Sequence, residues 1–260
     1  MEAKKSPTLP VRLQRRIEMI YKPIIAIPFY NHLDLFKSVA ERLKKYANFV
    51  LLVNDGSCDN ETKGVEEICK KYGFMYLKLQ KNSGKGGAVM AALKYAKEHG
   101  YSHLLQVDAD GQHDYEDIEK FLRISKDNPT YLICGAPVYD NSAPKSRLYG
   151  RKITKFWVSI ETFSTKIDDT MCGFRVYPVL SVSKILPILY FKRMGFDIEI
   201  LVKSFLNGIQ IINVPTKVFY PKEGISHFKG FKDNFEISLM HATLCCYALY
   251  RCIFKRATNV

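Results

Sequence analysis

No pair of cysteines in this chain has the CxxC spacing of a zinc ribbon or a dithiol redox site, although seven cysteines are present. The count is odd, and the adjacent Cys245 and Cys246 are poorly placed to bridge each other, so all seven read as reduced thiols in a cytosolic protein. The N-terminal residues lack the apolar stretch that follows the basic segment of a secretory leader. No run reaches the roughly 18 apolar residues of a membrane-spanning helix. The best candidate, Ile237 to Tyr250, is free of Asp, Glu, Lys and Arg for 14 residues only. A single membrane pass is therefore not expected, while attachment to a membrane surface stays open. Internal repeats and low-complexity tracts are also absent, which excludes a solenoid or a propeller.

Acidic residues are scarce as well: 26 Asp and Glu stand against 39 Lys and Arg, a net charge of +13. Such a surplus suits nucleic acid, an anionic membrane surface or phosphate-bearing substrates. The basic residues are spread along the chain, and no motif interleaves them with aromatics on one face, so nucleic acid is not an expected partner. Residues 1–22 form a basic extension with six basic residues against two acidic ones. Against this background "VDADGQHD" crowds Asp108, Asp110, Gln112 and Asp114 into seven residues. Like charges that close need solvent, a basic neighbour or a bound cation.

What the chain does have is a regular alternation of β-rich runs and helical patterns. "PIIAIPF" (23–29), "FVLLVND" (49–55), "FMYLKL" (74–79) and "HLLQVD" (103–108) are apolar at nearly every position, as strands buried on both faces are. Helical patterns separate them, which predicts an open α/β domain with a mostly parallel sheet flanked by helices. Further on, the pattern predicts helices near 114–127, 148–164 and 195–207, strands near 131–135, 174–177 and 210–219, and a last helix over 232–254. In that helix Phe235, Leu239, Ala242, Cys246, Leu249 and Ile253 form one stripe, which fits an interfacial helix or ordinary core packing.

Ligands of open α/β sheets bind at the carboxyl ends of the strands. Those ends carry Tyr30 and Asn31, then Asp55 with Gly56 and Ser57, then Asp108 and Asp110. Any one of these loops reads as a turn or helix cap, but three converging on one edge point to a site. The loop "NSGKGGA" (82–88) is not a P-loop: no glycine precedes the Gly84-Lys85 pair at the required distance, and Gly86 follows the lysine instead of Ser or Thr. Nor is it a dinucleotide fingerprint, because Val89 holds the place of the third glycine. It reads as an ordinary helix start or as an anion site offering Lys85. The acidic cluster is not an EF-hand, since His113 stands where that loop needs glycine. Its alternatives are an acidic helix cap, or two or three protein oxygens on Mg²⁺ or Mn²⁺ completed by substrate phosphates.

"IPFYN", "VNDGSCDNET", "NSGKGGA", "VDADGQH" and "CGFRVY" occur in the order seen in family-2 glycosyltransferases of the GT-A fold, and the chain resembles their polyprenyl-phosphate (dolichol-phosphate mannose synthase-like) branch over residues 23–220. The resemblance implies a metal-dependent, inverting transfer of a sugar from a UDP- or GDP-sugar to a lipid-linked, phosphate or hydroxyl acceptor. By that likeness Pro28, Tyr30, Asn31 and Asp55 line the nucleotide, and Lys85 lies near the donor phosphates. Asp108 and Asp110 flank the metal, Mg²⁺ or Mn²⁺, with Gln112 as a further ligand. Arg175 meets an acceptor phosphate, with Asp169 nearby. Asp197 and Glu199 are either a general base or a helix cap, and His227 is a structural histidine or a contact to donor phosphate or metal. Asn54 departs from the acidic residue often found before Asp55. Residues 221–260 lack the arginine- and glycine-rich sequence of the mannose synthases, and are expected to form a basic loop and an amphipathic helix packed on the domain or on a membrane surface. The competing reading is a nucleotidyltransferase acting on a sugar or alcohol phosphate. Such an enzyme normally has a glycine- and arginine-rich loop after its first strand, where this chain has "IPFYNHLD".

Overall fold

The computed structural model describes residues 21–139, 143–219 and 230–256. Seven strands, β1 (Pro23–Phe29), β2 (Val50–Asn54), β3 (Met75–Lys78), β4 (His103–Gln106), β5 (Leu132–Tyr139), β6 (Arg175–Pro178) and β7 (Ile211–Val218), form one sheet. Their order is β3-β2-β1-β4-β6-β5-β7. All neighbours pair in parallel except those of β6, which runs antiparallel to both β4 and β5. The reversal matters for function. Arg175, the first residue of β6, lies opposite Gln106, the last residue of β4, so the segment leading into β6 arrives at the edge where the parallel strands end.

Helices cover both faces of the sheet, as the doubly apolar strands require. They are α1 (Leu33–Leu43), α2 (Asp59–Tyr72), α3 (Lys85–Glu98), α4 (Asp117–Asp127), α5 (Lys145–Thr162), α6 (Val179–Ser183), α7 (Phe196–Leu206) and α8 (Gly230–Arg256). The period of two divides β1 between two cores. Ile24 and Ala26 pack under α3 and α7, whereas Ile25, Ile27 and Phe29 pack under α1, α2 and α4. Pro28 is tolerated in this central strand because the pairing of β1 with β4 stops at Ala26.

The C-terminal helix departs from the sequence expectation. Although its charge-free run is short, Asp233–Phe254 is long and apolar enough to cross a membrane by length and composition, and only 22% of its most apolar window is buried. Apolar residues flanking that run, such as Phe235, Ile253 and Phe254, extend the segment. Helix α8 packs on α5, where His241 Nδ1 lies 2.6 Å from Glu161 Oε1 and the His241 ring lies beside Trp157. Both helices leave bulky side chains in solvent: Tyr149, Phe156 and Phe163 on and just after α5, and Phe235, Leu249 and Ile253 on α8, are each more than half exposed. The stripe on α8 was legible in the sequence; its partner on α5 was not read.

Candidate active site

The acidic loop after β4 is compensated by a basic neighbour. Lys85 is the first residue of α3, and its Nζ lies 2.9 Å from Asp108 Oδ2 and 2.9 Å from Asp197 Oδ2. One ammonium is thus shared between two carboxylates brought in from β4 and α7. Gln106 aligns them from below: its Nε2 lies 3.3 Å from Asp108 Oδ1 and 3.5 Å from Asp197 Oδ1. Its Oε1 accepts a 2.9 Å hydrogen bond from the Tyr177 hydroxyl of β6. His113, buried against Phe174, places Nε2 3.8 Å from Asp108 Oδ2.

The floor of this cluster is Gly173. A Cβ there would lie 2.4 Å from Asp108 Oδ2 and 2.7 Å from Lys85 Nζ, so any larger residue would have to shift these two side chains. Burial alone would raise the Asp108 pKa, but the Lys85 ammonium and His113 outweigh it and hold the carboxyl well below the usual range. Burial likewise opposes the charge of Lys85, and Asp108 and Asp197 overcome it, raising its pKa. Asp110 behaves in the opposite way: loss of water around the loop, then the charge of Asp108, push its carboxyl up. Its Oδ1 accepts the Gln112 backbone amide at 3.0 Å.

The glycine loop is held by Asp55. This carboxylate, 2% exposed, accepts the Ser83 amide at 2.7 Å. Burial raises its pKa, and the amides of Ser83 and Gly84 and the charge of Arg193 pull it back. The other anchor is Lys192, whose carbonyl accepts the Gly86 amide at 2.9 Å. Gly84 has φ +83°, and a Cβ on it would lie 2.5 Å from that same carbonyl. Asn54 is fully buried and saturates its amide, donating to Thr62 and Tyr76 and accepting from the Ser57 amide. An acidic residue could not donate to Thr62 Oγ1, whose own hydroxyl proton goes to the Ser57 carbonyl. Tyr30 is 44% exposed at the end of β1. Beside it Asn31 ties the first two loops together, donating its amide to Ser57 Oγ and accepting from the Cys58 amide.

Several expected site residues have their polar groups engaged within the fold. The Asp55 carboxylate is engaged by the amides of the glycine loop. Arg175 is 0% exposed. Its guanidinium donates to the carbonyls of Asp197 and Thr170, so in this arrangement it braces backbone instead of meeting an acceptor phosphate. Glu199 is also fully buried; it pairs with Lys203 at 2.6 Å and accepts the amides of Tyr190 and Phe191. Both of its oxygens are occupied by these contacts, none of which is to an amide at the start of its own helix. Asp169 shapes the loop into β6, accepting the amides of Met171 and Cys172 and pairing with Arg151. His227 lies outside the described residues. Asp108, Asp197 and Lys85 are brought together, with Asp110 and Gln112 on the same loop. Gly173, Gln106, Tyr177 and His113 were missed by sequence reasoning. Gln106 had a readable signal, as a polar residue inside a buried strand.

A family model described as Glycosyl transferase family 2 matches residues 24–179, more than half of the chain. The chain belongs to this family. It is a glycosyltransferase, and its relatives set it in the branch similar to dolichol-phosphate sugar synthases. The dolichyl-phosphate beta-glucosyltransferase of Dictyostelium discoideum is 30% identical over 236 residues, covering 82% of this chain and 69% of that one. The UDP-N-acetylglucosamine–dolichyl-phosphate N-acetylglucosaminyltransferase of Methanococcus voltae is 28% identical over 239 residues, covering 83% and 94%. The glucosyl-3-phosphoglycerate synthase of Mycobacterium tuberculosis, solved in complex with Mn²⁺, uridine diphosphate and phosphoglyceric acid, matches with a TM-score of 0.63 at 13% identity over 96% of this chain and 84% of that one. That last likeness is one of fold.

Proposed function

We propose that this glycosyltransferase moves a sugar, with inversion, from a nucleoside-diphosphate sugar to a dolichyl-phosphate-type lipid, with Mg²⁺ or Mn²⁺ at the acidic loop. The observation that carries the reading is the Asp108–Lys85–Asp197 cluster at the carboxyl edge of the sheet, with Asp110 beside it. The names of the dolichyl-phosphate transferases it resembles supply the acceptor class.

The residues present fit a hard divalent ion: Asp108, Asp110 and Gln112 offer oxygen donors on one loop. Among the described residues no three His, Cys, Asp or Glu side chains could hold a metal by themselves, so the remaining ligands fall to the donor's phosphates. When bound, the cation neutralises the charge that develops on the departing pyrophosphate. Lys85 adds a second positive charge for those phosphates. Asp55 keeps the glycine loop in register for them, and Pro28, Tyr30 and Asn31 flank the nucleoside. A lipid phosphate is ionised at neutral pH and attacks without a general base; Asp197 therefore holds Lys85 in the free protein and takes no proton. Arg175, bracing the carbonyls of Asp197 and Thr170, acts as a positioning residue.

The exposed apolar side chains of α5 and α8 form the surface through which the enzyme lies on a membrane, bringing the lipid to the site. Residues 23–220 act as the catalytic domain, the net charge of +13 suits an anionic lipid surface, and the free thiols are in keeping with a cytoplasmic face. The test is transfer from UDP-glucose, UDP-N-acetylglucosamine and GDP-mannose to dolichyl phosphate in vesicles, with Mn²⁺ or with EDTA. One donor is expected to react, only with metal and only with the phosphorylated lipid. Equal transfer to unphosphorylated dolichol would overturn the acceptor assignment, and full activity in EDTA would overturn the metal.

A further inference from the structure

Lys85 occupies the place where a cation is needed. Its ammonium lies 2.9 Å from each of two carboxylates, one of them Asp108. The second oxygen of Asp108 lies within 3.3 Å of the Gln106 amide. In this state both Asp108 oxygens carry a donor, and the cluster lies close over the Gly173 backbone. Helix α3 itself cannot carry the ammonium away, because the loop that starts it is tied to Asp55 and to the Lys192 carbonyl. Only the side chain of Lys85 can swing, and the one partner that would draw it from two carboxylates is a group of comparable negative charge.

We infer that Lys85 is an internal stand-in for the metal: it closes the carboxylate site in the free protein and yields it when a nucleoside diphosphate draws the ammonium onto its phosphates. This deepens the proposed function and rests on its metal assignment. Metal and donor then bind as a coupled pair. The free protein holds divalent cations weakly, since an arriving cation meets an ammonium already on Asp108. The pyrophosphate both ligates the metal and removes its competitor. Because coupling is reciprocal, Mn²⁺ strengthens nucleotide binding by the same factor.

The test is Mn²⁺ binding followed by electron paramagnetic resonance, with and without UDP or GDP, for the wild type, Lys85→Met and the charge-preserving Lys85→Arg. Lys85→Gln, which tolerates exposure better, is measured alongside so that misfolding of one neutral variant does not decide the result. Removing the ammonium is expected to tighten Mn²⁺ binding to the nucleotide-free protein by about tenfold, the scale of one ion pair in a partly shielded site. The enhancement by nucleotide should shrink in the same variants, while Lys85→Arg behaves as wild type. If wild type binds Mn²⁺ with nucleotide but the neutral variants gain nothing without it, Lys85 is no competitor and the inference falls while the proposed function stands. If no protein binds Mn²⁺ even with nucleotide, the metal reading falls and takes this inference with it.

Discussion

Asp197 and Glu199 stand two residues apart in the first turn of α7, yet they belong to two different kinds of ion cluster. Asp197 shares the Lys85 ammonium with Asp108, and the three side chains are 12%, 32% and 19% exposed. Glu199 has Lys203 to itself at 0% and 1% exposure. Its other contacts are the amides of Tyr190 and Phe191, and Lys203 also donates to the Ile188 carbonyl. The buried cluster is complete: each charge has one opposite charge, and backbone fills the remaining valences. The edge cluster is incomplete, with two carboxylates on one ammonium and a third, Asp110, beside them. Satisfied burial marks a framework, whereas a surplus of one sign at a solvent-facing edge marks a site that awaits a ligand.

The sharpest way to break this contrast is to remove one carboxylate from each side. Asp110→Ala at the edge is expected to lower sugar transfer by about 10³-fold, because the charge that holds the leaving pyrophosphate's counter-ion is lost. Its melting temperature should hold or rise, since a carboxyl whose pKa is raised is destabilising as an anion. Steady-state kinetics and calorimetry on the same preparation check both halves. Glu199→Ala, in contrast, should cost about 3–5 kcal/mol of stability by stranding the Lys203 ammonium in the core, read from denaturant midpoints. Unchanged stability there would make the buried cluster as dispensable as an exposed ion pair.

A titration sharpens the framework side. His103 is 3% exposed and its ring nitrogens contact Ser102 Oγ and the Pro129 carbonyl; burial pulls its pKa down from 6.5 to about 4. Between those two values the unfolded chain holds a proton that the folded chain refuses, so stability falls as pH drops through the window. The full effect is about 3 kcal/mol by pH 4. His103→Asn should flatten the loss measured between pH 7 and pH 4, and an unaltered profile would show that the ring charges freely in the fold.

The fold was largely legible because its first strands are apolar at nearly every position and its helices announce their buried faces. The antiparallel β6 was not: a four-residue strand carries no sign of its direction, and that direction is what delivers Gly173 to Asp108. At the site, Asp108, Asp110 and Lys85 stand out as charges at strand and helix ends. Arg175 and Glu199 stand out equally in the sequence, and only their burial shows that they brace backbone. Residues that act through shape, such as Gly173, or through a shared amide, such as Gln106, leave no charge to read.

Gly173 supplies the subtlest discrimination between the clusters, because it touches the edge cluster alone. Its backbone φ lies outside the left-handed region, so alanine is acceptable to the chain itself, and the nearest obstacles are Asp108 and Lys85. The added methyl would sit 2.4 Å from Asp108 Oδ2, and relief requires the carboxylate to move by the order of an ångström. A misplacement of that size in a positioned group costs about 10²-fold in rate, so Gly173→Ala should lose about that factor in kcat/KM. Because no bond of the Glu199–Lys203 cluster is touched, the denaturant midpoint should shift far less than in Glu199→Ala. The distinguishing readout is the pair of numbers, rate down and stability held. If Gly173→Ala keeps full activity, the edge cluster tolerates movement, and its difference from the buried cluster lies in exposure alone and not in fixed geometry.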